Sequence, residues 1–190
     1  VLDHRSKRIY PGLDDKSICA WNALMIKAFI DGYKALGKEE YLDQAIASGN
    51  FIFSLMDEDG KLNRIFKNGQ QKIDGFLDDY AFSMDAFLAL YQSTFKKQYL
   101  DKAIVLNDYV QNHFWDNITK LYFYTSELSP NLITRKKELM DNVIPSSNSA
   151  MSHNLFTLGT LLSDDALIDQ ARTMINQMQN QFATHGEYFA

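Results

Sequence analysis

Cysteine is almost missing from this chain. Cys19 stands alone among 190 residues, so an internal disulfide is excluded, and so are CxxC redox and zinc motifs. Ile18, Ala20 and Trp21 surround it, a setting for a small buried hydrophobe rather than a reactive thiol. A reducing cytoplasm is the expected location. No block of basic residues occurs, and the net charge is −5; a nucleic-acid partner is therefore not expected. No apolar run approaches the roughly 20 residues that span a bilayer. The first residues, VLDHRSKRIY, lack the apolar stretch of a signal peptide. They also do not begin with methionine, as expected of a segment cut from a longer protein. No Ser-His-Asp order, phosphate-cradling glycine loop or metal-ligand cluster is present, so no metal and no cofactor is expected.

What is abundant is aromatic. Phe, Tyr and Trp make up 13% of the chain, within a 46% hydrophobic and 23% charged composition that is ordinary for a globular protein. Rings in that number fill a thick core, and they also line sugar-binding clefts. The length predicts one domain, residues 1–190.

The chain repeats itself. YLDQAI at 41–46 returns as YLDKAI at 99–104, an offset of 58 that also carries Ile26 onto Met84, Phe29 onto Phe87 and Tyr33 onto Tyr91. LIDQA at 167–171 is a weaker third copy. Each copy reads as two helices. Leu77, Tyr80, Ala81, Met84, Phe87, Leu88 and Tyr91 step by three or four, one apolar stripe on a helix. A turn follows, and then a second stripe through Leu100, Ala103, Ile104, Val110 and Phe114. Hairpins are predicted at about 17–56, 76–115 and 148–182, with Asp74, Ser146 or Ser147, and Ser163 marking helix starts. Between them lie β excursions. Asn68-Gly69 predicts a tight hairpin turn within 61–76, and a second strand pair is expected either side of Ser129-Pro130.

Helix, turn, helix, β excursion, repeated, describes an all-α fold: part of an (α/α)6 toroid, with the first helix of each pair inside. The polar residues that open the inner helices are then expected to gather at one mouth. Those are Asp14, Asp15, Lys16, Trp21 and Asn22 for the first, Asp78, Asp79 and Tyr80 for the second, and Asp141, Ser146 and Asn148 for the third.

DDK followed by AWNALMI, then FLDDYAF, then DNVIPSSNSA, resemble the C-terminal part of the YyaL and spermatogenesis-associated protein 20 family. The matching residues are Asp14-Asp15-Lys16, Trp21-Asn22, Leu24-Met25-Ile26, Asp79-Tyr80-Ala81, Asp141, Pro145-Ser146 and Asn148-Ser149. Ala23, Asp78 and Ser147 replace the family's Gly, Glu and Gly. The resemblance implies a six-hairpin, glycosidase-like toroid following a thioredoxin-like domain, with three of the six hairpins in this chain. It implies that redox chemistry belongs to the thioredoxin-like domain. A half ring leaves apolar flanks uncovered, so self-association is expected.

Similar toroids include inverting glycoside hydrolases and sugar 2-epimerases. Inverting hydrolysis needs two carboxyl groups about 6.5–9.5 Å apart, for which Asp15, Asp79 and Asp141 are the candidates. The competing reading is structural: acids in a first turn meet free N–H groups and the positive end of the helix dipole. Asp15 has Lys16 or Arg64 as expected ion-pair partners. Trp21 and Tyr80 either stack on a sugar or plug the core. Epimerases of this shape use cleft histidines. His4, His113, His153 and His185 form no evident pair, and a solvated or hydrogen-bonded His153 is the preferred reading. The functional expectation is a carbohydrate-like small-molecule ligand at the mouth, held by Asp14, Lys16, Trp21, Asn22, Arg64, Asp78, Tyr80, Ser146 and Asn148. The alternatives are a glycoside hydrolase using paired aspartates, and a scaffold for a thioredoxin-like domain or another protein.

Overall fold

A computed structural model describes residues 1–130, 133–184 and 186. After a short helix α1 (Leu2–Ser6) come three helical hairpins: α2 (Cys19–Leu36) with α3 (Glu39–Leu55), α4 (Leu77–Thr94) with α5 (Lys97–Phe114), and α6 (Ser147–Leu162) with α7 (Asp165–Thr184). The first helices pack side by side, α2 on α4 and α4 on α6, while α3, α5 and α7 each lie on their own partner. The result is an arc of hairpins with an inner and an outer layer. The 58-residue offset of the repeat is also the spacing between the starts of α2 and α4, and between those of α3 and α5.

The layers follow from the side chains. The middle helix α4 is buried almost all round, from Leu77 through Met84 and Phe87 to Leu90. A helix apolar on every side belongs in the centre of a fold. Each inner helix ends the same way, on a left-handed residue: Gly37 at φ 65°, Phe95 at 54° and Ser163 at 56°. The N–H of that residue turns back onto a carbonyl of the last turn. Glycine adopts this conformation without penalty; Phe95 and Ser163 hold it without that freedom. Gly159 sets how closely α6 and α7 approach, since a Cβ there would stand 2.8 Å from Ile168 Cγ1 and 2.9 Å from the Asp164 carbonyl.

The starts differ in part from expectation. Ser146 does cap α6, its hydroxyl accepting the Ser149 N–H. For α7 the cap is Asp164, whose Oδ1 accepts from Ala166 N–H at 2.9 Å; Ser163 instead closes α6. For α4 the preceding residue is Phe76, and Asp74 is at the end of a strand, paired with Lys61 at 2.8 Å.

Strands β1 (Ser17–Ile18), β2 (Asn63–Lys67) and β3 (Gln70–Asp74) form an antiparallel sheet in the order β1-β2-β3. Its tight turn is Asn68-Gly69, at φ 52° and 73°, as Asn-Gly predicts. The other expected strand pair is different. Strand β4 (Trp115–Asp116) pairs with β5 (Leu121–Tyr122) directly after α5, and among the described residues no strands flank Ser129-Pro130. Side chains take the backbone groups that a ladder would use. Arg135 donates through Nη2 to the carbonyls of Thr125 and His113, and Asn148 occupies Tyr122 and Glu138.

Candidate functional site

The polar residues at the start of α4 are fully engaged. Asp79 has no exposed surface. Its Oδ1 accepts from the Ala20 N–H at 3.0 Å, and its Oδ2 from the Phe76 N–H at 2.9 Å and from Arg64 Nη1 at 3.1 Å. The same Nη1 reaches Asp78 Oδ1 at 3.0 Å, and the guanidinium lies 4.9 Å from the centre of the Phe76 ring. One carboxylate therefore ties the first turn of α2 to that of α4, and one arginine from β2 bridges two buried acids. Tyr80 belongs to the core: it is 1% exposed, stacks on Tyr109 at 5.2 Å, and its hydroxyl accepts the Leu62 N–H at 3.0 Å.

Burial, followed by the Asp78 charge, pushes Asp79 up to about 6, against the pull of Arg64 and of the Phe76 and Ala20 N–H groups. The folded value lies above the ordinary 3.8, so the stability that Asp79 contributes is complete below that value and is lost as the pH rises through about 6. Asp79→Asn cannot titrate. The unfolding free energy of the native chain, measured against that variant, is expected to fall by roughly 2 kcal/mol between about pH 4 and pH 7. Urea titrations of both proteins across this range check it, and a flat difference would contradict it.

The third mouth is also held from within. Asn148, fully buried, accepts the Tyr122 N–H through Oδ1 at 2.9 Å and donates through Nδ2 to the carbonyls of Tyr122 and Glu138, both at 3.0 Å. Asp141 Oδ1 accepts the Ser146 N–H at 2.7 Å, and Ser146 Oγ donates to the Leu139 carbonyl at 3.1 Å. Asn22 caps the strand before α2, donating to the Ile18 carbonyl at 2.8 Å. Outside, Asp14 pairs with Lys16 at 3.2 Å, and Asp15 pairs with Lys67, not with Lys16 or Arg64. Trp21 is 63% exposed, so it does not plug the core.

A cleft of about 220 Å3 opens where the inner helices meet. Leu24 of α2, Phe82 and Asp85 of α4, and Ser149, His153 and Asn154 of α6 line it, with Asp141 and Pro145 from the loop before α6. Of the residues expected at the mouth, only Asp141 faces it. Burial raises the pKa of Asp85, against the attraction of Lys27 and His153. Asn154 has no exposed surface; its Nδ2 donates to the Ala81 carbonyl at 2.7 Å, and among the described residues its Oδ1 has no hydrogen-bond partner. The amide orientation is fixed by that contact, because an oxygen could not face the Ala81 carbonyl.

Asp85, Asn154 and the cleft side of His153 were not singled out from the sequence. The available signal was Asp85 itself, an ionisable residue among Phe82, Met84, Ala86 and Phe87 in the middle of a helix that is buried almost all round. His113 is elsewhere, beside Glu127, and His185 lies outside the described residues. A second hollow of about 510 Å3, between α5 and the turn after α3, is lined by Asp57, Asp59, Asp108, Lys61 and His113. Among the described residues no group of His, Cys, Asp and Glu is placed to hold a metal ion, and no helix is long and apolar enough to cross a membrane. Cys19 contacts Ser83 Oγ at 3.5 Å, and burial pushes its thiol up to about 12, so it stays protonated.

The arrangement of inner and outer helices places the chain among the six-hairpin, glycosidase-like (α/α)6 toroids, as a partial ring. A family 76 α-mannanase of Bacteroides thetaiotaomicron superposes with a TM-score of 0.74 at 18% identity, over 92% of this chain and 46% of that one. A cellobiose 2-epimerase of Bacillus thermoamylovorans gives 0.71 at 18% identity, over 88% and 45%. By sequence the chain belongs to the spermatogenesis-associated protein 20 family. The rat protein of that name is 32% identical over 181 residues, 90% of this chain, and an uncharacterized protein of Caenorhabditis elegans is 31% identical over 175 residues. The chain spans about a quarter of the length of these relatives, 23% and 24%. No family model matches it.

Proposed function

We propose that the concave side of this arc binds a carbohydrate-like ligand in the cleft between α2, α4 and α6. One observation carries the reading: a monosaccharide-sized hollow of about 220 Å3 is lined by Asn154, whose buried Oδ1 lacks a donor. An unsatisfied buried acceptor destabilises a fold by about 1–3 kcal/mol, and a ligand hydroxyl would supply what is missing. The structural relatives act, by their names, on mannan and cellobiose, which supports the ligand class. Titration of the isotope-labelled chain with mono- and disaccharides, followed by NMR, tests it. Amide shifts are expected at Phe82, Asp85, His153 and Asn154; shifts confined to the hollow beside Asp108 would overturn it.

A hydrolase with paired aspartates is the second reading. Asp79, pushed up to about 6, titrates in the range a general acid uses. Both of its oxygens, however, already accept hydrogen bonds from the fold. Loss of glycosidase activity in a folded Asp79→Asn variant would support that reading over ligand binding alone. We extend the proposal to a cytoplasmic protein of carbohydrate metabolism, where the lone thiol has no partner to oxidise with. In a parent with a thioredoxin-like domain, redox chemistry would lie there, since Cys19 is held protonated.

We further propose that this chain by itself self-associates. Trp21 and Met25, one turn apart on α2, are 63% and 53% exposed, and Phe156 and Ile175 of the third hairpin are 49% and 46% exposed. Sedimentation is expected to show dimers at raised concentration; a monomer throughout would overturn the idea.

A further inference from the structure

Taking the cleft as the ligand site, we infer that it selects an amino-bearing sugar over a neutral one and rejects acidic sugars, with Asp85 and Asn154 as the selecting residues. The polar groups facing the hollow are mostly acceptors. Asp85 sits half-buried at the centre of α4, and Asp141 supplies a second carboxylate from the loop before α6. Asn154 adds a carbonyl oxygen that no donor among the described residues reaches, while its N–H2 is directed to the Ala81 carbonyl.

The side-chain donors left among the lining residues are the Ser149 hydroxyl, whose oxygen accepts from Ser146 Oγ at 2.8 Å, and the His153 ring. Lys27, the cation of α2 that acts most strongly on Asp85, is held by Asp31 at 2.8 Å and does not line the hollow. An anionic ligand would meet two carboxylates and an orphan carbonyl with no unengaged lysine or arginine among the lining residues. An ammonium group, with three donors and a positive charge, matches that set. Phe82 and Leu24 give the apolar wall on which a sugar ring packs.

The charged groups that face Asp85 are Lys27, Asp31 and Lys34 from α2 and His153 from α6. Acidification protonates Asp85, whose pKa burial raises, and that change weakens the hold on a cation.

Calorimetric titration of the whole chain at neutral pH and low salt with glucosamine, glucose and glucuronate tests the inference. Glucosamine is expected to bind tightest and glucuronate weakest, with about a ten-fold gap between them, the size that one charge-assisted hydrogen bond provides. In Asp85→Asn the gap is expected to close to within about three-fold. Should that variant fail to fold, the native chain gives the same reading: the advantage of glucosamine over glucose shrinks as the pH is lowered and Asp85 takes up a proton. Glucuronate binding as tightly as glucosamine would overturn the selectivity and leave the sugar cleft standing. An absence of binding by all three would remove the cleft reading and this inference together.

Discussion

Arg64→Met is expected to lower the unfolding free energy by about 3–5 kcal/mol, the range found when one partner of a buried ion pair is removed. The expectation rests on a single nitrogen. Arg64 Nη1 lies 3.0 Å from Asp78 Oδ1 and 3.1 Å from Asp79 Oδ2, and both carboxylates are shielded from water, at 4% and 0% exposure. Methionine fills the space over Phe76 but leaves two like charges side by side with no cation. Part of the loss is avoided at acid pH, where Asp79 takes up a proton, so the variant should be more severely destabilised at about pH 7 than at about pH 4. Adding Asp78→Asn removes one of the stranded charges and is expected to recover part of the difference. Urea unfolding of the single and double variants measures both effects. A loss below about 1 kcal/mol would mean that the pair behaves as a solvated surface bridge.

Asn148→Leu is expected to be nearly as damaging, at about 2–4 kcal/mol, through polarity rather than charge. The leucine has a similar shape, so no cavity accounts for the loss. It strands the Tyr122 N–H and the carbonyls of Tyr122 and Glu138, three backbone groups that a single amide now satisfies. The excursion from β5 to α6 has little regular structure of its own, and this amide replaces the ladder it lacks. Asn154→Leu provides the contrast. It removes one donor to Ala81 and an oxygen that has no partner, so its stability loss should be the smaller of the two while sugar binding is abolished. Thermal unfolding of both variants makes the comparison, and equal losses would contradict it.

The hairpins were legible because the repeat fixes their spacing and the apolar stripes fix their faces. Leu77, Met84, Phe87 and Leu88 are buried where a helical period puts them. Asn68-Gly69 was legible because few dipeptides tolerate two left-handed residues in succession. The region after α5 was not, since aromatic and β-branched residues suggest strands while the outcome depended on distant side chains, Arg135 and Asn148. The family motifs did mark residues with demanding roles. Asp79, Tyr80 and Asn148 proved to be bonded into the framework, where the chemistry that suits a first helical turn also suits a joint between helices. The cleft itself was hidden for a geometric reason. Asp85 is on α4 while His153 and Asn154 are neighbours on α6, and only the packing of α4 against α6 brings them to one hollow.

The bond from Ala20 N–H to Asp79 also changes how the arc comes apart. Amides in a helix's opening turn have no partner in their own helix and ordinarily trade hydrogen with solvent at once. This one is buried beneath a neighbouring hairpin. It can exchange for deuterium only when α2 peels away from α4, so a single backbone proton serves as a clock for the parting of the first two repeats.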